Sequence, residues 1–312
     1  MTVSSERVPF HRCAKRAFVC SAALCCQTSI AEPFIGQFEL KTLESAPGSF
    51  EFQSQNAWAS RQSRRQIDLD DEGELLMDEN SLFRARYALE LEMGITHALK
   101  MRVGVELEDE RIDDPVTLSQ ANEFEGLKLA EIGAEVVAIL IPREEDGAGL
   151  GVVVEIEGPV DQEGSNRFIA GPIIEYQSGD WLLAAVPMLV RAFGGDPEDN
   201  EPVDDKWDFA YAAQLMRRIS DEWSVAMEGY GTIDRLGDSG RPSMAAKRFG
   251  DFDQHRLGPV VYYARSLGIA RGHGAGSDEN EAPSLTIGFG VLEGLNSDTP
   301  DHTIKLSIEL DF

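Results

Sequence analysis

The stretch from Ser81 to Glu110, SLFRARYALELEMGITHALKMRVGVELEDE, alternates apolar and polar residues over nearly its whole length. Alternation with a period of two is typical of β-strands that have one apolar and one polar face. The stretch divides into two strands of roughly 11–14 residues, whereas a globular strand has about 5–6. A strand that crosses a membrane needs about 9–11 residues. The length and the two faces therefore predict membrane-spanning strands.

The charges on the polar face also predict how these two strands pair. Folding the stretch about Thr96 places four acids opposite four bases. The predicted pairs are Arg84 with Glu108, Arg86 with Glu106, Glu90 with Arg102, and Glu92 with Lys100. Cross-strand pairs of opposite charge stabilise a hairpin, and a slip of one residue would move every charge to the apolar face. We therefore predict an antiparallel hairpin in this register.

The same alternation recurs along the chain, and no apolar run reaches the roughly 18 residues of a membrane helix. We predict strands near residues 49–60, 81–94, 97–110, 127–142, 147–158, 166–178, 180–193, 206–219, 221–235, 255–267, 283–293 and 302–312. The predicted fold is all-β, a closed antiparallel up-and-down transmembrane β-barrel of about twelve strands. An even strand number places both ends of the barrel on the periplasmic side.

The links between the predicted strands alternate in length, as short periplasmic turns and long outer loops do. The short turns lie near 95–97, 143–146, 178–180 and 219–221, and the long links at 61–80, 111–126, 194–205 and 236–254. The link at 267–283 disagrees, because it is long although strand parity places it on the periplasmic side. Either it is an unusual periplasmic loop or the strand count is wrong by a pair.

The N-terminus carries basic residues, then the apolar run AFVCSAALCC, then Ser29 and Ala31 at the positions that precede a cleavage before Glu32. This pattern predicts a secretory signal peptide at 1–31. All four cysteines lie within it, so the chain after it offers no thiol for a disulfide or a metal. Residues 32–48 are predicted as a periplasmic N-terminal segment, either a tail or a plug that enters the barrel. The barrel is predicted over 49–312.

The chain is strongly acidic. From residue 32 onward it has 24 basic and 54 acidic residues. Such a charge disfavours binding to nucleic acid and to anionic surfaces, and it favours cations. It does not indicate disorder, because 42% of the residues are hydrophobic and they follow a regular pattern.

The C-terminus HTIKLSIELDF alternates apolar and polar residues and ends on Phe312. With the signal peptide and the repeated hairpins, it resembles Gram-negative outer-membrane β-barrels. The resemblance implies an outer-membrane location, contact with lipid and lipopolysaccharide, and recognition of the last strand by the barrel assembly machinery through Phe312. The stretch GLNSDTPDHTIKL at 294–306 resembles the last-hairpin loop of channel-like barrels linked to a phenol-degradation pathway. That resemblance implies passive uptake of small organic molecules.

The polar strand faces supply candidate lumen-lining residues, because rings of charged side chains select ions in channels. The candidates are Arg84, Arg86, Glu90, Glu92, Lys100, Arg102, Glu106, Glu108, Glu131, Glu135, Glu155 and Glu157. The excess of acid predicts a preference for cations. We therefore expect a channel or transporter for the passive diffusion of small solutes. The alternative is a non-conducting structural or surface-interaction barrel whose interior is closed by salt bridges.

The acidic stretch DLDDEGELLMDE (68–79) partly matches a calcium-binding loop. Asp68, Asp70, Glu72 and Glu79 fall at positions 1, 3, 5 and 12 of such a loop. Glu72 is longer than the usual residue and Leu76 replaces a polar one, so a solvated acidic loop is the alternative. A looser role, in which this loop bridges cations to lipopolysaccharide, needs no fixed geometry. The four histidines after residue 31 have no metal-ligand spacing, and no Ser–His pair stands out. We therefore expect neither an enzyme nor a cofactor.

Overall fold

The computed structural model describes most of the predicted barrel. It describes residues 38, 40–60, 66–69, 75–78, 81–112, 124–144, 146–160, 165–194, 206–240, 251–267 and 283–312. The predicted signal peptide lies outside these residues and stays a prediction. Within the described part of the chain, no helix is long and apolar enough to cross a membrane.

Twelve strands form one closed antiparallel barrel, and a further pair forms a separate two-stranded sheet. The strands are β1 (Phe50–Ser60), β2 (Gln66–Leu69), β3 (Leu75–Asp78), β4 (Ser81–Thr96), β5 (Leu99–Ile112), β6 (Phe124–Ile141), β7 (Gly147–Pro159), β8 (Asn166–Ser178), β9 (Trp181–Phe193), β10 (Trp207–Arg218), β11 (Trp223–Ile233), β12 (Gln254–Ser266), β13 (Ser284–Gly294) and β14 (His302–Asp311). The predicted all-β barrel of twelve strands is confirmed. The β2–β3 hairpin in the first long link was not predicted.

The barrel closes between β1 and β14. Phe312 donates its backbone N–H to the carbonyl of Phe50 at 2.8 Å and accepts one from Phe50 at 3.0 Å. The two rings stack with their centroids 6.2 Å apart. Phe312 therefore takes part in closing the barrel between β1 and β14. Recognition of Phe312 by the assembly machinery stays a prediction.

Each barrel strand presents one face to the lumen and one to the outside. In β5, Lys100 and Arg102 are 1% and 4% exposed, whereas Met101 and Val103, the residues that follow each of them, are 44% and 56% exposed. The outside is thus a belt of large apolar side chains, which lipid solvates and water does not. Trp181, Trp207 and Trp223 each begin a strand, and membrane-spanning strands commonly carry aromatic residues near their ends.

The predicted β4–β5 register is wrong by two residues, although the faces are correct. Arg86 lies opposite Glu108 rather than Glu106, and Glu92 lies opposite Arg102 rather than Lys100. The reason is the turn, because β4 continues through Thr96 and the loop consists of the next two residues. A shift of two residues keeps every side chain on its predicted face, so the apolar pattern could not detect it.

Because the barrel has twelve strands, β1 begins and β14 ends at the same rim, here called the chain-end rim. The four short turns lie at this rim, and most of the long links lie at the opposite, far rim. The strand count stands, so the 267–283 link also belongs to the chain-end rim. Its ends are joined by a hydrogen bond of 2.7 Å from the Leu267 N–H to the Pro283 carbonyl. Residues 268–282 lie outside the described part of the chain.

Phe38 and residues 40–48 are here called the N-terminal segment. Phe38, Lys41 and Leu43 are buried inside the barrel, and residues 46–48 are exposed at the rim. The chain reverses at the rim through a tight turn, in which the Ser49 N–H donates to the Ala46 carbonyl at 3.0 Å and Gly48 has a φ of 79°. A Cβ at Gly94 of β4 would lie 2.0 Å from the Ala46 carbonyl oxygen, so a glycine is required there. Of the two alternatives, a periplasmic tail or a plug, the described residues follow the second.

Candidate functional site: the lumen and its N-terminal segment

The structure places eleven of the twelve candidate residues with their side chains toward the lumen. These are Arg86, Glu90, Glu92, Lys100, Arg102, Glu106, Glu108, Glu131, Glu135, Glu155 and Glu157. The side chain of Arg84 lies outside the described part, and the register puts its backbone on the same face. Most of these side chains are buried. Their effect on permeation stays a prediction.

Arg102 is the centre of an ion-pair network on β4 and β5. Its Nη2 lies 2.7 Å from Glu92 Oε2, and its Nη1 lies 3.2 Å from Glu90 Oε2. Lys100 Nζ lies 3.0 Å from Glu92 Oε1. The predicted partners therefore do meet, because long side chains reach their diagonal neighbours even though the register differs. Arg86 likewise pairs with Glu106, 3.3 Å away.

Arg167 of β8 was missed in the sequence. It lies 3.2 Å from Glu157 Oε2 and also pairs with Glu131. Arg167 stands directly opposite Glu157 in the β7–β8 register. The same rule of opposite cross-strand charges that was applied to β4 and β5 could have identified it.

The cation closest to Glu135 belongs to the N-terminal segment and not to a barrel strand. Lys41 of the N-terminal segment pairs with Glu135 Oε2, and both side chains are buried. The cation that the wall offers Glu135 is Arg102, whose Nε lies 4.0 Å from Glu135 Oε1. Lys41 carried no signal in the sequence, because the N-terminal segment shows no periodic pattern.

Further contacts hold the N-terminal segment near the chain-end rim. The Leu43 N–H donates to Glu175 Oε1 at 3.1 Å, and Arg143 Nε lies 3.0 Å from Glu175 Oε2. Arg143 also pairs with Glu44, and Lys100 Nζ donates to Thr42 Oγ1 at 3.1 Å. The segment is therefore attached by side chains of β5 and β8 and of the β6–β7 turn.

Leu43 rests on two glycines of the lumen wall. A Cβ at Gly149 or at Gly151 would lie 2.6 Å from a Leu43 methyl carbon, so only glycine leaves room for this side chain. Leu43 also packs against buried apolar residues of the lumen face, Val137, Ile139, Val153, Ile173 and Val186. This contact explains why β9 is apolar on both faces, since its lumen face takes part in an interior cluster.

Deeper in the lumen, Phe38 fills a pocket on the opposite wall. Its ring meets that of Tyr230 edge to face at 5.3 Å, and the Arg256 guanidinium lies over it at 5.0 Å. The Tyr230 hydroxyl oxygen also lies 3.3 Å from the Phe38 carbonyl oxygen. The N-terminal segment thus touches both walls and crosses the lumen.

Glu228 of β11 is the centre of a second polar network, here called the Glu228 cluster. Lys305 Nζ and the Tyr230 hydroxyl each donate to Glu228 Oε2 at 2.7 Å. Gln214 Nε2 donates to Glu228 Oε1 at 2.7 Å, and the Tyr262 hydroxyl donates to the same oxygen. All these partners belong to barrel strands, so this carboxylate is fully satisfied by the wall itself.

Little free space remains beside the acidic wall. A polar cavity of about 10 Å³ is lined by residues that include Glu90, Arg102, Glu155 and Glu157. That volume holds about one water molecule.

Charged residues also meet at the far rim. Lys206 Nζ lies 3.3 Å from Asp208 Oδ2 and 2.5 Å from Asp234 Oδ1. Burial opposes the charge of Lys206, but the two carboxylates outweigh this effect and raise its pKa. Of the proposed calcium ligands, only the backbone of Asp68 is described, in β2, and the other three lie outside the described part. Calcium binding there stays a prediction.

Comparison with known proteins supports the fold. No family model and no curated protein matches the chain. Among solved structures, it is similar to an outer membrane channel from Pseudomonas putida F1, with 12% identity over 88% of this chain and 99% of that one and a TM-score of 0.50. The KdgM porin is 6% identical over 85% and 98% of the two chains, with a TM-score of 0.41. The closed barrel and its apolar belt define the class, and the prediction of an outer-membrane β-barrel is confirmed.

Proposed function

We propose that the protein is a passive channel for small solutes with a preference for cations, and that its N-terminal segment closes the lumen in this structure. The observation that carries the proposal is the pairing of Lys41 with Glu135. Lys41 balances part of the negative charge of this wall. When the N-terminal segment leaves, that negative charge faces an open lumen and attracts cations. The solved structure that is similar in fold at a TM-score of 0.50 is an outer membrane channel.

The preference for cations follows from the buried carboxylates of one wall. They are Glu90, Glu92, Glu106, Glu135, Glu155, Glu157 and Glu175, each at most 7% exposed. The charge on a narrow path sets the sign of the ions that enter it. When the N-terminal segment leaves, this wall loses the positive charge of Lys41 and keeps its own acids.

The N-terminal segment is a separable part of the molecule. Residues 40–46 form no strand, so no ladder of hydrogen bonds binds them to the wall. The barrel ladder closes without them, from β1 through β14. Removing the segment therefore leaves the twelve-stranded wall and its apolar belt intact.

A second candidate function is a structural barrel that does not conduct. The observation in its favour is the set of buried ion pairs inside the barrel, such as Arg102 with Glu90 on one wall and Lys305 with Glu228 on the other. Under this alternative, the N-terminal segment is a permanent part of the core.

Planar bilayer recording separates the two candidates. One protein begins at residue 32 and the other at residue 46, and both are refolded and checked by heat-modifiable migration on a gel. In a potassium chloride gradient, we expect rare or small currents from the longer chain and steady cation-selective steps from the shorter one. Two folded but silent proteins would support the structural barrel, and anion-selective steps would contradict the proposed cation preference.

A further inference from the structure

Glu135 and Glu155 place two buried carboxyl groups beside each other on the lumen wall. They stand directly opposite each other in the β6–β7 register, and they are 2% and 5% exposed. Like charges in this arrangement destabilise a sheet. The wall cation Arg102 already binds Glu90 and Glu92 with its two Nη atoms. The wall by itself leaves this carboxylate pair short of positive charge.

Lys41 supplies that charge. Its ammonium group contacts Glu135, which stands directly opposite Glu155 in the β6–β7 register. Both Glu135 oxygens are buried, and within the described part neither accepts a hydrogen bond of good geometry. In this structure their closest cation is the Lys41 ammonium group, which has three N–H donors. The occupant of the site is an ammonium on an alkyl chain that does not belong to the wall.

The surroundings of this pair suit an alkyl chain. The next lumen-facing pair toward the chain-end rim is Val137 with Val153, which are 1% and 0% exposed. Leu43 packs in the same cluster. The site thus offers carboxylates at one end and an apolar surface beside them. A hydrated divalent metal ion instead requires oxygen ligands on most sides.

We propose that the Glu135–Glu155 pair is a binding site for a primary alkylammonium group, with Lys41 as its built-in occupant. The site takes a small organic amine when the N-terminal segment withdraws. The inference deepens the proposed channel function, on which it rests, by naming primary amines as a solute class. The tethered lysine competes with such an amine and keeps the site filled in the absence of solute.

The test removes the occupant and supplies the amine. Lys41→Ala protein is refolded in detergent and its thermal unfolding is followed with n-butylammonium chloride. The matched controls are sodium chloride, tetramethylammonium chloride, which has charge without N–H donors, and n-butanol, which has the chain without charge. We expect n-butylammonium alone to raise the unfolding temperature. Its binding to Lys41→Ala/Glu135→Gln should be about tenfold weaker, because a charged acceptor is lost.

A second variant keeps the test decisive if Lys41→Ala fails to fold. The chain that begins at residue 46 has the same empty site and all wall residues. The proposal is overturned if n-butylammonium stabilises neither variant, or if sodium or tetramethylammonium stabilises it equally. This readout requires no current. Binding without conductance would therefore contradict the channel and not the site, and conductance without binding would contradict the site alone.

Discussion

Glu135 in β6 and Glu228 in β11 are both buried carboxylates of the lumen face, but their cations come from different places. Glu228 pairs with Lys305 at 2.7 Å and accepts hydrogen bonds from Gln214 and two tyrosines, all on barrel strands. Glu135 pairs with Lys41, which lies on the N-terminal segment. Under the proposed function, Glu228 keeps its wall cation, whereas Glu135 exchanges Lys41 for another cation when the N-terminal segment leaves.

The two sites also differ in where the cation lies relative to the barrel strands. Lys305 on β14 reaches Glu228 on β11 across β12 and β13, and each stands opposite a glycine, Gly290 and Gly258 respectively. Lys41 instead pairs with Glu135 without belonging to a barrel strand. Burial alone therefore does not distinguish a carboxylate with a structural role from one with a proposed functional role. We use the position of its cation, on the barrel wall or on the N-terminal segment, to distinguish them.

The largest expected effect comes from removing the structural cation. Lys305→Met should lower the free energy of unfolding by about 3–5 kcal/mol, because it leaves a buried carboxylate without its cation. Lys41→Met should cost less than half as much, because a proton or a cation from solution can replace Lys41. Urea unfolding of both variants, monitored by heat-modifiable migration, checks the difference. Equal losses would show that Lys41 is as structural as Lys305.

A smaller effect is expected where Leu43 rests on the wall. Gly151→Val places new atoms where the Leu43 side chain lies and should displace the N-terminal segment. We expect a stability loss of about 1–3 kcal/mol from overpacking, together with more frequent channel opening. Gly147→Val is the matched control, because a Cβ there meets nothing closer than 3.9 Å. If the control opens the channel as often, the Leu43 contact does not close it.

Charge neutralisation on the acidic wall should alter selectivity more than stability. In the chain that begins at residue 46, Glu135→Gln with Glu155→Gln should lower the cation-to-anion permeability ratio by about twofold or more. The reversal potential in a potassium chloride gradient measures this ratio. Asp180→Asn, at an exposed position of the chain-end rim, is the control and should leave the ratio nearly unchanged. An unchanged ratio in the glutamate variant would place the selective step elsewhere.

The smallest effect is expected at an ion pair that faces water. Arg218 and Asp180 lie 3.1 Å apart, and both side chains are more than half exposed. Arg218→Ala should change the free energy of unfolding by about 0–1 kcal/mol, because solvent screens the pair. Urea unfolding beside Lys305→Met gives the comparison. If Arg218→Ala and Lys305→Met lowered the free energy of unfolding by similar amounts, buried and exposed ion pairs would not differ in their contribution to stability.

The barrel could be predicted from the sequence because its strands carry one repeating signal. Apolar residues at every second position place the strands to within a few residues and assign each face. The β4–β5 register was ambiguous, since Arg86 meets an acid in either register, Glu106 or Glu108. The turn decides between the two, and His97–Ala98 has none of the residues that specify a tight hairpin turn.

The interior could not be predicted in the same way. The N-terminal segment has no periodicity, and it is held by single contacts such as Lys41 with Glu135 and Leu43 with Gly151. These contacts join residues far apart in the chain, and neither is a strand pair. Lys305 and Glu228 are separated by two intervening strands, so no pairing rule connects them. Arg167 opposite Glu157 is the exception, since adjacent strands place these two residues together.

The most direct test of the account is to lock the N-terminal segment to the wall. Leu43→Cys with Gly151→Cys introduces the only two cysteines after residue 31. The Leu43→Cys change also removes the methyl carbons that would meet the new Cβ at position 151. Disulfide formation is confirmed by a gel shift before single-channel recording. We predict no current from the oxidised protein and cation-selective openings after reduction. Equal currents in both states would contradict the claim that this segment closes the lumen.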